Sequence, residues 1–244
     1  MSENMSNYTQ ADMMTVAMAR LLRDEERVFH GVASPIPMVA VQLAKRRQAP
    51  NLIYLSITGA VDGLPESFPR ETTTDGKLLR NTASLFSLTE IFDLSARGQL
   101  DTAFLGGVQI DQYGNLNLSV IGDFHKPKVR LPGGAGSAAL LPTTKRAILW
   151  RTKHDPKVFV EKLSFRTAVG NVDKVITPLG IFSKEAGKLK LWQVFPYSSV
   201  EEITAQTGFP VEKSPDFVVA EAPTAEELAL LQEIDPDDVR SVEF

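Results

Sequence analysis

The chain contains a short, nearly continuous run of apolar and β-branched residues, Leu52-Ile-Tyr-Leu-Ser-Ile-Thr, which restricts the folds open to it. A strand that is apolar at almost every position is buried on both faces, as in a parallel sheet covered by helices. Gly59 and Gly63 follow this run, at the carboxyl end of the predicted strand. Ligands of open α/β sheets bind outside that edge, so the run predicts both a parallel sheet and the side on which a site lies.

Helical and extended patterns alternate along the rest of the chain. Apolar residues recur at helical spacing in several segments, and capping boxes begin at Ser87 and Thr224. The alternation predicts an α/β fold, a single domain over residues 1–244 with a mixed, mostly parallel sheet flanked by helices. The predicted helices are 11–23, 38–47, 87–97, 198–207 and 224–234, and the predicted strands include 27–32, 102–105, 147–152, 174–177 and 189–195.

Composition argues against several classes of function. The net charge of −4 does not favour nucleic-acid binding, and no apolar run approaches the ~18 residues of a membrane span. Cysteine is absent, which excludes disulfides and thiolate chemistry, and the three histidines lack zinc-like spacing. The N-terminus lacks the regions of a signal peptide. We therefore expect a cytoplasmic protein that binds no metal, nucleic acid or membrane, with a solvated acidic tail over 235–244.

A glycine-rich segment, Pro132-Gly-Gly-Ala-Gly-Ser-Ala, can bring backbone close to a ligand. The N–H groups of Gly133, Gly134, Ala135 and Gly136 can then converge on one oxygen, as an oxyanion hole or an anion nest. A thioester carbonyl needs such donors when it becomes tetrahedral. The alternative interpretation is a glycine-rich surface turn without a ligand.

Upstream, the segment Gln109-Ile-Asp-Gln-Tyr-Gly-Asn-Leu-Asn predicts a hairpin. Its residues 113–115 form the predicted turn, and we expect them to serve only that purpose. Gln109 and Asn117 are polar positions that flank the turn on adjoining strands. They are candidate hydrogen-bond donors toward a substrate.

Between these segments, Gly122-Asp-Phe-His-Lys-Pro-Lys brings an acid, an imidazole and two amines together within seven residues. Asp123 and His125 are two residues apart and share a face of an extended segment. A carboxylate that orients an imidazole is a common general-base arrangement. Lys126 and Lys128 can instead meet phosphates, and an exposed polar loop is the remaining alternative. His30 and His154 are interpreted as incidental.

The ordered series over 106–138 resembles the β subunit of glutaconate CoA-transferase, a family I CoA-transferase. The resemblance extends to Ala49-Pro50, Leu179-Gly-Ile-Phe, Thr207-Gly-Phe and Ile234-Asp-Pro. It implies the family's fold, a coenzyme A thioester as substrate, no permanently bound cofactor and no metal. It also implies an α subunit as partner, in a heterodimer or α2β2 complex with the active site between the subunits. The loop Gly133–Gly136 would lie against the thioester, with Gln109 and Asn117 beside the active site.

One position departs from the family pattern. In these transferases a nucleophilic glutamate stands at the end of a buried strand and carries the acyl group and then CoA. An ungapped alignment places that glutamate at Ile57, and no glutamate occurs between Glu26 and Glu66 in any register. Gly59 and Asp62 would line the substrate side of the following turn, from which Asp62 is one candidate replacement carboxylate.

Three functions remain open from the sequence. In the first, the complex acts on an acyl-CoA thioester by hydrolytic C–C cleavage or by decarboxylation, with the oxyanion loop stabilising an enolate and Ile57 keeping the pocket dry. In the second, the α chain or Asp62 supplies a carboxylate and CoA transfer survives. In the third, the chain is a non-catalytic scaffold for its partner.

Overall fold

The computed structural model describes residues 7–244, so the N-terminal segment Met1–Ser6 lies outside the described residues. These residues form two compact units. The central unit comprises Leu105–Glu221, and the terminal unit comprises residues 7–104 together with Ala222–Phe244. Each unit combines helices with a sheet, so the predicted α/β class is confirmed, and a single domain over 1–244 stays a prediction.

Six α-helices and fourteen strands are defined within the described residues. The helices are α1 (Gln10–Arg20), α2 (Pro35–Arg47), α3 (Leu88–Ala96), α4 (Ser137–Thr143), α5 (Val200–Ala205) and α6 (Ala225–Ile234). The strands are β1 (Arg27–His30), β2 (Ile53–Ser56), β3 (Ala60–Val61), β4 (Ser84–Leu85), β5 (Thr102–Gly106), β6 (Gln109–Ile110), β7 (Leu116–Asn117), β8 (Val120–Gly122), β9 (Pro127–Arg130), β10 (Arg146–Trp150), β11 (Val172–Ile176), β12 (Gly180–Glu185), β13 (Lys188–Val194) and β14 (Lys213–Val219).

In the terminal unit the strand order is β5-β1-β2-β3-β4. Strand β1 is parallel to both β2 and β5, while β3 and β4 continue the sheet antiparallel. The apolar run from Leu52 therefore forms a buried strand that is parallel to β1 on one side, as predicted, and antiparallel to β3 on the other. The strand ends at Ser56, however, one residue before Ile57.

The start of helix α2 differs from the sequence prediction, because proline is tolerated in the first turn of a helix. Helix α2 begins at Pro35 rather than at residue 38 and includes Pro37 in its first turn. A first-turn proline loses no intrahelical hydrogen bond, because its N–H would have no helical partner. The capping boxes predicted at Ser87 and Thr224 are both formed.

The sequence predicts a solvated C-terminal tail over 235–244; this is wrong for three of its residues, while Pro236, Asp237 and Asp238 are exposed as predicted. Asp235 and Val239 are buried, and so is Arg240, with 7% of its surface exposed. The Arg240 guanidinium donates to Asp12 Oδ1 over 2.7 Å and to Asp235 Oδ2 over 2.9 Å. The acidic composition suggested solvent exposure, but a single arginine neutralises the acids that are buried.

In the central unit the strand order is β14-β13-β12-β11-β10. Strands β10 and β11 are parallel, β11, β12 and β13 are successively antiparallel, and β14 is again parallel to β13. Two further hairpins, β6–β7 and β8–β9, carry most of the polar residues singled out in the sequence. The seven-residue helix α4, which directly follows the glycine-rich segment, was not predicted.

Candidate active site

Ile57 lies in a tight turn that follows β2, where the Gly59 N–H donates to the Ser56 carbonyl over 2.9 Å. Its side chain is half-buried. The hydroxyl oxygens of Ser56 and Thr58 lie 2.5 Å apart and hydrogen-bond to each other. The two neighbouring hydroxyls are thus paired with each other, and neither supplies a carboxylate in place of the family's glutamate.

Gly59 packs this turn against the segment that precedes α3. Its φ is +92°, and a Cβ there would lie 2.4 Å from the Phe86 carbonyl oxygen. The Phe86 N–H in return donates to the Gly59 carbonyl over 2.8 Å. Only glycine fits this contact, so its packing role is evident and its predicted substrate contact stays a prediction.

Asp62 was a candidate replacement for the missing carboxylate. Its Oδ1 accepts from Lys45 Nζ over 2.6 Å and from the Tyr54 N–H over 3.0 Å. A carboxylate oxygen held by an ammonium group and a backbone amide is a weak nucleophile, because both bonds stabilise its charge. Asp62 therefore closes the turn beneath Ile57, and this geometry disfavours a role in CoA transfer.

His30 lies at the end of β1, in register with Ser56 on β2. Its Nδ1 lies 2.9 Å from the Gly31 carbonyl oxygen and its Nε2 lies 2.6 Å from the Tyr54 hydroxyl. Because a carbonyl can only accept, Nδ1 carries the proton and Tyr54 donates to Nε2. Burial lowers the pKa of His30 to about 4, so the ring is neutral and buttresses the strand ends.

In the central unit, Gln109 and Asn117 form a register pair on β6 and β7. The Asn117 Nδ2 donates to Gln109 Oε1 and to the Val120 carbonyl, each over 2.7 Å. Both hydrogens of that amide are thus engaged, so Asn117 supports Gln109 rather than donating to a substrate. The Gln109 Nε2 has no acceptor within residues 7–244, and it stays a candidate donor.

The turn between β6 and β7 is structural, as the sequence indicated. Asp111 Oδ1 accepts from the N–H groups of Tyr113 and Asn115, each over 2.9 Å. Gly114 has a φ of +73°, which glycine adopts without strain.

Asp123 and His125 do not form the predicted acid–imidazole pair. Asp123 Oδ1 accepts from the backbone N–H groups of His125 (2.8 Å) and Lys126 (2.9 Å), so the carboxylate builds the turn between β8 and β9. The His125 ring instead lies edge-on to Phe124, with centroids 5.5 Å apart. Lys126 and Lys128 are both exposed, so this hairpin presents cations to its surroundings. A general-base role for His125 stays a prediction without an orienting partner.

The glycine-rich segment forms a compact loop before α4. Gly133 has a φ of +97° and donates its N–H to the Leu118 carbonyl over 2.8 Å, so it is not an oxyanion donor. Ala135 also has a positive φ, at +42°. For the N–H groups of Gly134, Ala135 and Gly136, no acceptor lies in the described part of the chain. Three of the four predicted donors therefore remain available to a ligand.

Thr167 supports this loop, and sequence reasoning missed it. Its Oγ1 accepts from the Leu118 N–H over 2.9 Å and lies 2.7 Å from Ser119 Oγ. Its Cγ2 would lie 2.9 Å from a Cβ at Gly134, so a larger residue at that glycine would displace it. More than thirty residues separate Thr167 from the loop, and nothing in its local sequence signals the contact.

No group of three or more potential metal ligands occurs among the described residues, and no helix there is long and apolar enough to cross a membrane. A family model described as Coenzyme A transferase matches residues 11–207, more than three quarters of the chain. The chain belongs to the coenzyme A transferase family. It is of the β-subunit type, and the members of this family that it resembles are enzymes.

Three relatives illustrate the range of this family. The chain is 31% identical to the B subunit of the 3-oxoadipate CoA-transferase of Pseudomonas knackmussii, over 95% of both chains. It is 28% identical to the B subunit of the glutaconate CoA-transferase of Acidaminococcus fermentans, over 95% of this chain and 94% of that one. The crystal structure of the decarboxylase AibA/AibB superposes with a TM-score of 0.90 and 28% identity, over 96% of this chain and 98% of that one. The resemblance to glutaconate CoA-transferase is thus confirmed at the level of the family.

Proposed function

We propose that this CoA-transferase family chain is the β subunit of a heteromeric, cytoplasmic enzyme that decarboxylates a dicarboxylic acyl-CoA thioester instead of transferring CoA. The observation that carries the proposal is Ile57 at the position of the family's glutamate. Its neighbours Ser56 and Thr58 bond to each other, and Asp62 is held by Lys45 and the backbone. CoA transfer requires a nucleophilic carboxylate, and this turn offers none.

Decarboxylation needs no nucleophile from the protein. The bond between the carboxylate carbon and its neighbour breaks, CO₂ leaves, and the electron pair passes into the conjugated thioester as an enolate. The N–H groups of Gly134, Ala135 and Gly136 stabilise the enolate oxygen, and a proton donor then quenches the carbanion. An apolar side chain at position 57 keeps water out of the pocket and offers no carboxylate to be acylated. Hydrolytic C–C cleavage is less well supported, because it needs a base to activate water and Asp123 does not orient the imidazole of His125.

The comparisons support both the proposed reaction, loss of CO₂, and the proposed substrate class, dicarboxylic acyl groups. The structural similarity to a decarboxylase supports loss of CO₂, and the names of two transferase relatives refer to dicarboxylates, 3-oxoadipate and glutaconate. The 31% identity to a transferase chain favours a second candidate, CoA transfer with a carboxylate from the α subunit. On either route, the exposed Lys126 and Lys128 are suited to the phosphates of CoA.

Incubation of the purified complex of this chain and its co-encoded α subunit with a panel of acyl-CoA esters tests the proposal. The panel is incubated in ¹⁸O-labelled water, with and without acetate, and products are identified by mass. Loss of 44 mass units as CO₂, with no acetyl-CoA formed, is the expected result. Labelled oxygen in a cleaved acyl chain would establish hydrolysis instead. Acetyl-CoA would establish transfer, and no reaction with any ester would favour a scaffold role.

Ile57→Glu is expected to introduce part of the CoA-transfer reaction in the same complex. The new carboxylate can form an anhydride with the acyl group and then a thioester with CoA, which is visible as a covalent CoA adduct by intact-mass analysis. A second negative charge near the substrate carboxylate should lower decarboxylation by about 10- to 100-fold. Ile57→Val is the matched control and should do neither. The role assigned to Ile57 is wrong if Ile57→Glu forms no CoA adduct and decarboxylates at the rate of this control.

The proposed α subunit needs a surface on this chain, and the segment after Gly59 offers one. Leu85 on β4 is 65% exposed and Leu88 at the start of α3 is 57% exposed. Strand β4 ends the order β5-β1-β2-β3-β4, and an exposed apolar edge strand invites pairing with another chain unless it is covered. The hydrogen bond from the Phe86 N–H to the Gly59 carbonyl joins this surface to the turn that contains Ile57.

Leu85→Asp combined with Leu88→Asp is therefore expected to weaken pairing with the α subunit by at least about 100-fold in Kd. Each leucine that the partner covers contributes about 1.5–3 kcal/mol to binding. Co-purification and native mass spectrometry measure the fraction in complex. Val219→Asp, a change at a residue that is 62% exposed on β14, is the matched control. A double variant that assembles as well as this control would show that the partner lies elsewhere.

A further inference from the structure

The carboxyl end of β10 carries two consecutive side chains whose N–H donors find no acceptor among residues 7–244. Trp150, the last residue of β10, is only 5% exposed, and its Nε1 is buried without a hydrogen-bond partner. The Nε of the next residue, Arg151, is also buried and unpartnered. Buried donors in folded proteins are almost always paired, and exceptions mark functional sites or bound groups. Two adjacent exceptions call for an acceptor from outside the chain.

Trp150 and Arg151 lie at the edge of the sheet where α/β proteins bind their ligands. Strands β10 and β11 are parallel, with Trp150 opposite Ile176, and the Arg151 N–H donates to the Ile176 carbonyl over 3.1 Å. Ligands of α/β sheets bind beyond the carboxyl ends of parallel strands. The half-buried Arg151 guanidinium stands at such an end, in the first residue after the strand.

The acid nearest in sequence does not pair with Arg151. Asp155 Oδ1 accepts from the N–H groups of Lys157 and Val158, over 2.8 and 3.0 Å, and so closes its own turn. None of the ion pairs in the described part of the chain includes Arg151. A partly buried guanidinium without a counter-charge is costly unless a ligand supplies one.

The remaining neighbour in sequence, His154, does not compete for an anion. Its Nδ1 lies 2.9 Å from Thr177 Oγ1 and its Nε2 lies 2.9 Å from Thr207 Oγ1. Burial lowers the pKa of His154 to about 4, although the nearby Asp155 acts in the opposite direction, so the ring is neutral at pH 7. The Arg151 guanidinium is thus the partly buried permanent charge at this strand end, while the neighbouring Lys153 is exposed.

We propose that Arg151 binds the free carboxylate of a dicarboxylic acyl-CoA. The inference rests on the proposed function and deepens it, because it names the residue that selects a dicarboxylic over a monocarboxylic acyl group. A planar guanidinium fork matches the two oxygens of a carboxylate. Phosphate has the same acceptor chemistry, so the test must separate the acyl carboxylate from the phosphates of CoA.

The experiment measures binding rather than turnover, on the complex with its α subunit. Isothermal titration compares glutaryl-CoA with pentanoyl-CoA, which has the same carbon number without the carboxylate, and with free CoA. Arg151→Met should raise the Kd of glutaryl-CoA by about 10- to 100-fold, the usual effect of losing a hydrogen bond to a charged group, and leave the other two within about twofold. Arg151→Lys should give a smaller rise. Lys153→Met, at the exposed neighbour, is the control and should change nothing.

Equal losses for all three ligands would place a CoA phosphate at Arg151 and overturn the proposal. Loss of the complex by native mass spectrometry in both Arg151→Met and Arg151→Lys would make Arg151 a subunit-interface cation, which also overturns it. Unchanged binding of glutaryl-CoA would do the same. Because binding is measured, a wild-type complex that transfers CoA instead of decarboxylating would contradict the proposed function and still leave the role of Arg151 tested.

Discussion

Replacement of Gly134 by valine is expected to lower turnover of the assembled enzyme by about 100- to 1,000-fold, the usual effect of losing an oxyanion donor. A Cβ at this position would lie 2.9 Å from Thr167 Cγ2 and 3.2 Å from Ala138 Cβ. The larger side chain must displace the loop and with it the N–H groups of Gly134, Ala135 and Gly136. Steady-state kinetics with the best acyl-CoA of the panel should show the loss in kcat, since the donors act on charge that develops during the reaction.

Gly76→Val is the matched control for this prediction. Gly76 is exposed and needs no positive φ, and a Cβ there would have no heavy atom within 4 Å. Its variant should keep wild-type turnover. If Gly134→Val assembles normally and turns over at the control rate, the loop does not hold the thioester oxygen.

Arg240→Met is expected to lower the free energy of unfolding by about 3–5 kcal/mol, because it leaves buried carboxylates without their cation. The side chain of Arg240 is 9% exposed, as is that of Asp12, and that of Asp235 is 1% exposed. Asp12 also closes the capping box of α1 by accepting from the Thr9 N–H over 2.8 Å. Loss of the arginine therefore weakens both the C-terminal segment and the start of the first helix.

Urea denaturation of the isolated chain, followed by circular dichroism, measures this effect. Arg80→Met is the control, because Arg80 is 61% exposed and lies 3.5 Å from an even more exposed Glu66. Such a surface pair contributes about 0–1 kcal/mol, so the control should stay close to wild type. Equal destabilisation by both variants would show that the buried cluster contributes no more than an exposed pair.

Local chemistry explains which elements could be predicted. The apolar run before Ile57 could only form a doubly buried strand, and the capping boxes at Ser87 and Thr224 place side-chain acceptors at helix starts within three residues. The hairpin at 109–117 likewise depends on contacts that Asp111 makes within four residues. Interactions that are complete within one turn of chain can be recognised from sequence spacing.

The sequence was less successful at predicting which hydrogen-bond or ion-pair partner a polar side chain contacts. Spacing placed Asp123 and His125 on one face, but the carboxylate bonds to the backbone of its own turn, which is closer and already fixed. Asn117 was assigned to a substrate, yet Gln109 and Val120 take both of its amide hydrogens. The solvated tail was misjudged because Arg240 reaches Asp12, 228 positions away in sequence.

By itself, the sequence determined the family, a buried strand within the apolar run from Leu52 and the absence of a glutamate from that strand, because these depend on residue identity and on local period. Only the tertiary structure decided which polar groups remain available. It engages Asp62 and Asn117 within the chain, supports Gly134 with Thr167, and leaves Trp150 Nε1 and Arg151 Nε without acceptors among the described residues. The physical reason is that a buried donor or acceptor bonds to the polar groups that the fold brings within about 3 Å. Groups that are close in space are often far apart in the sequence, so local spacing does not predict these partners.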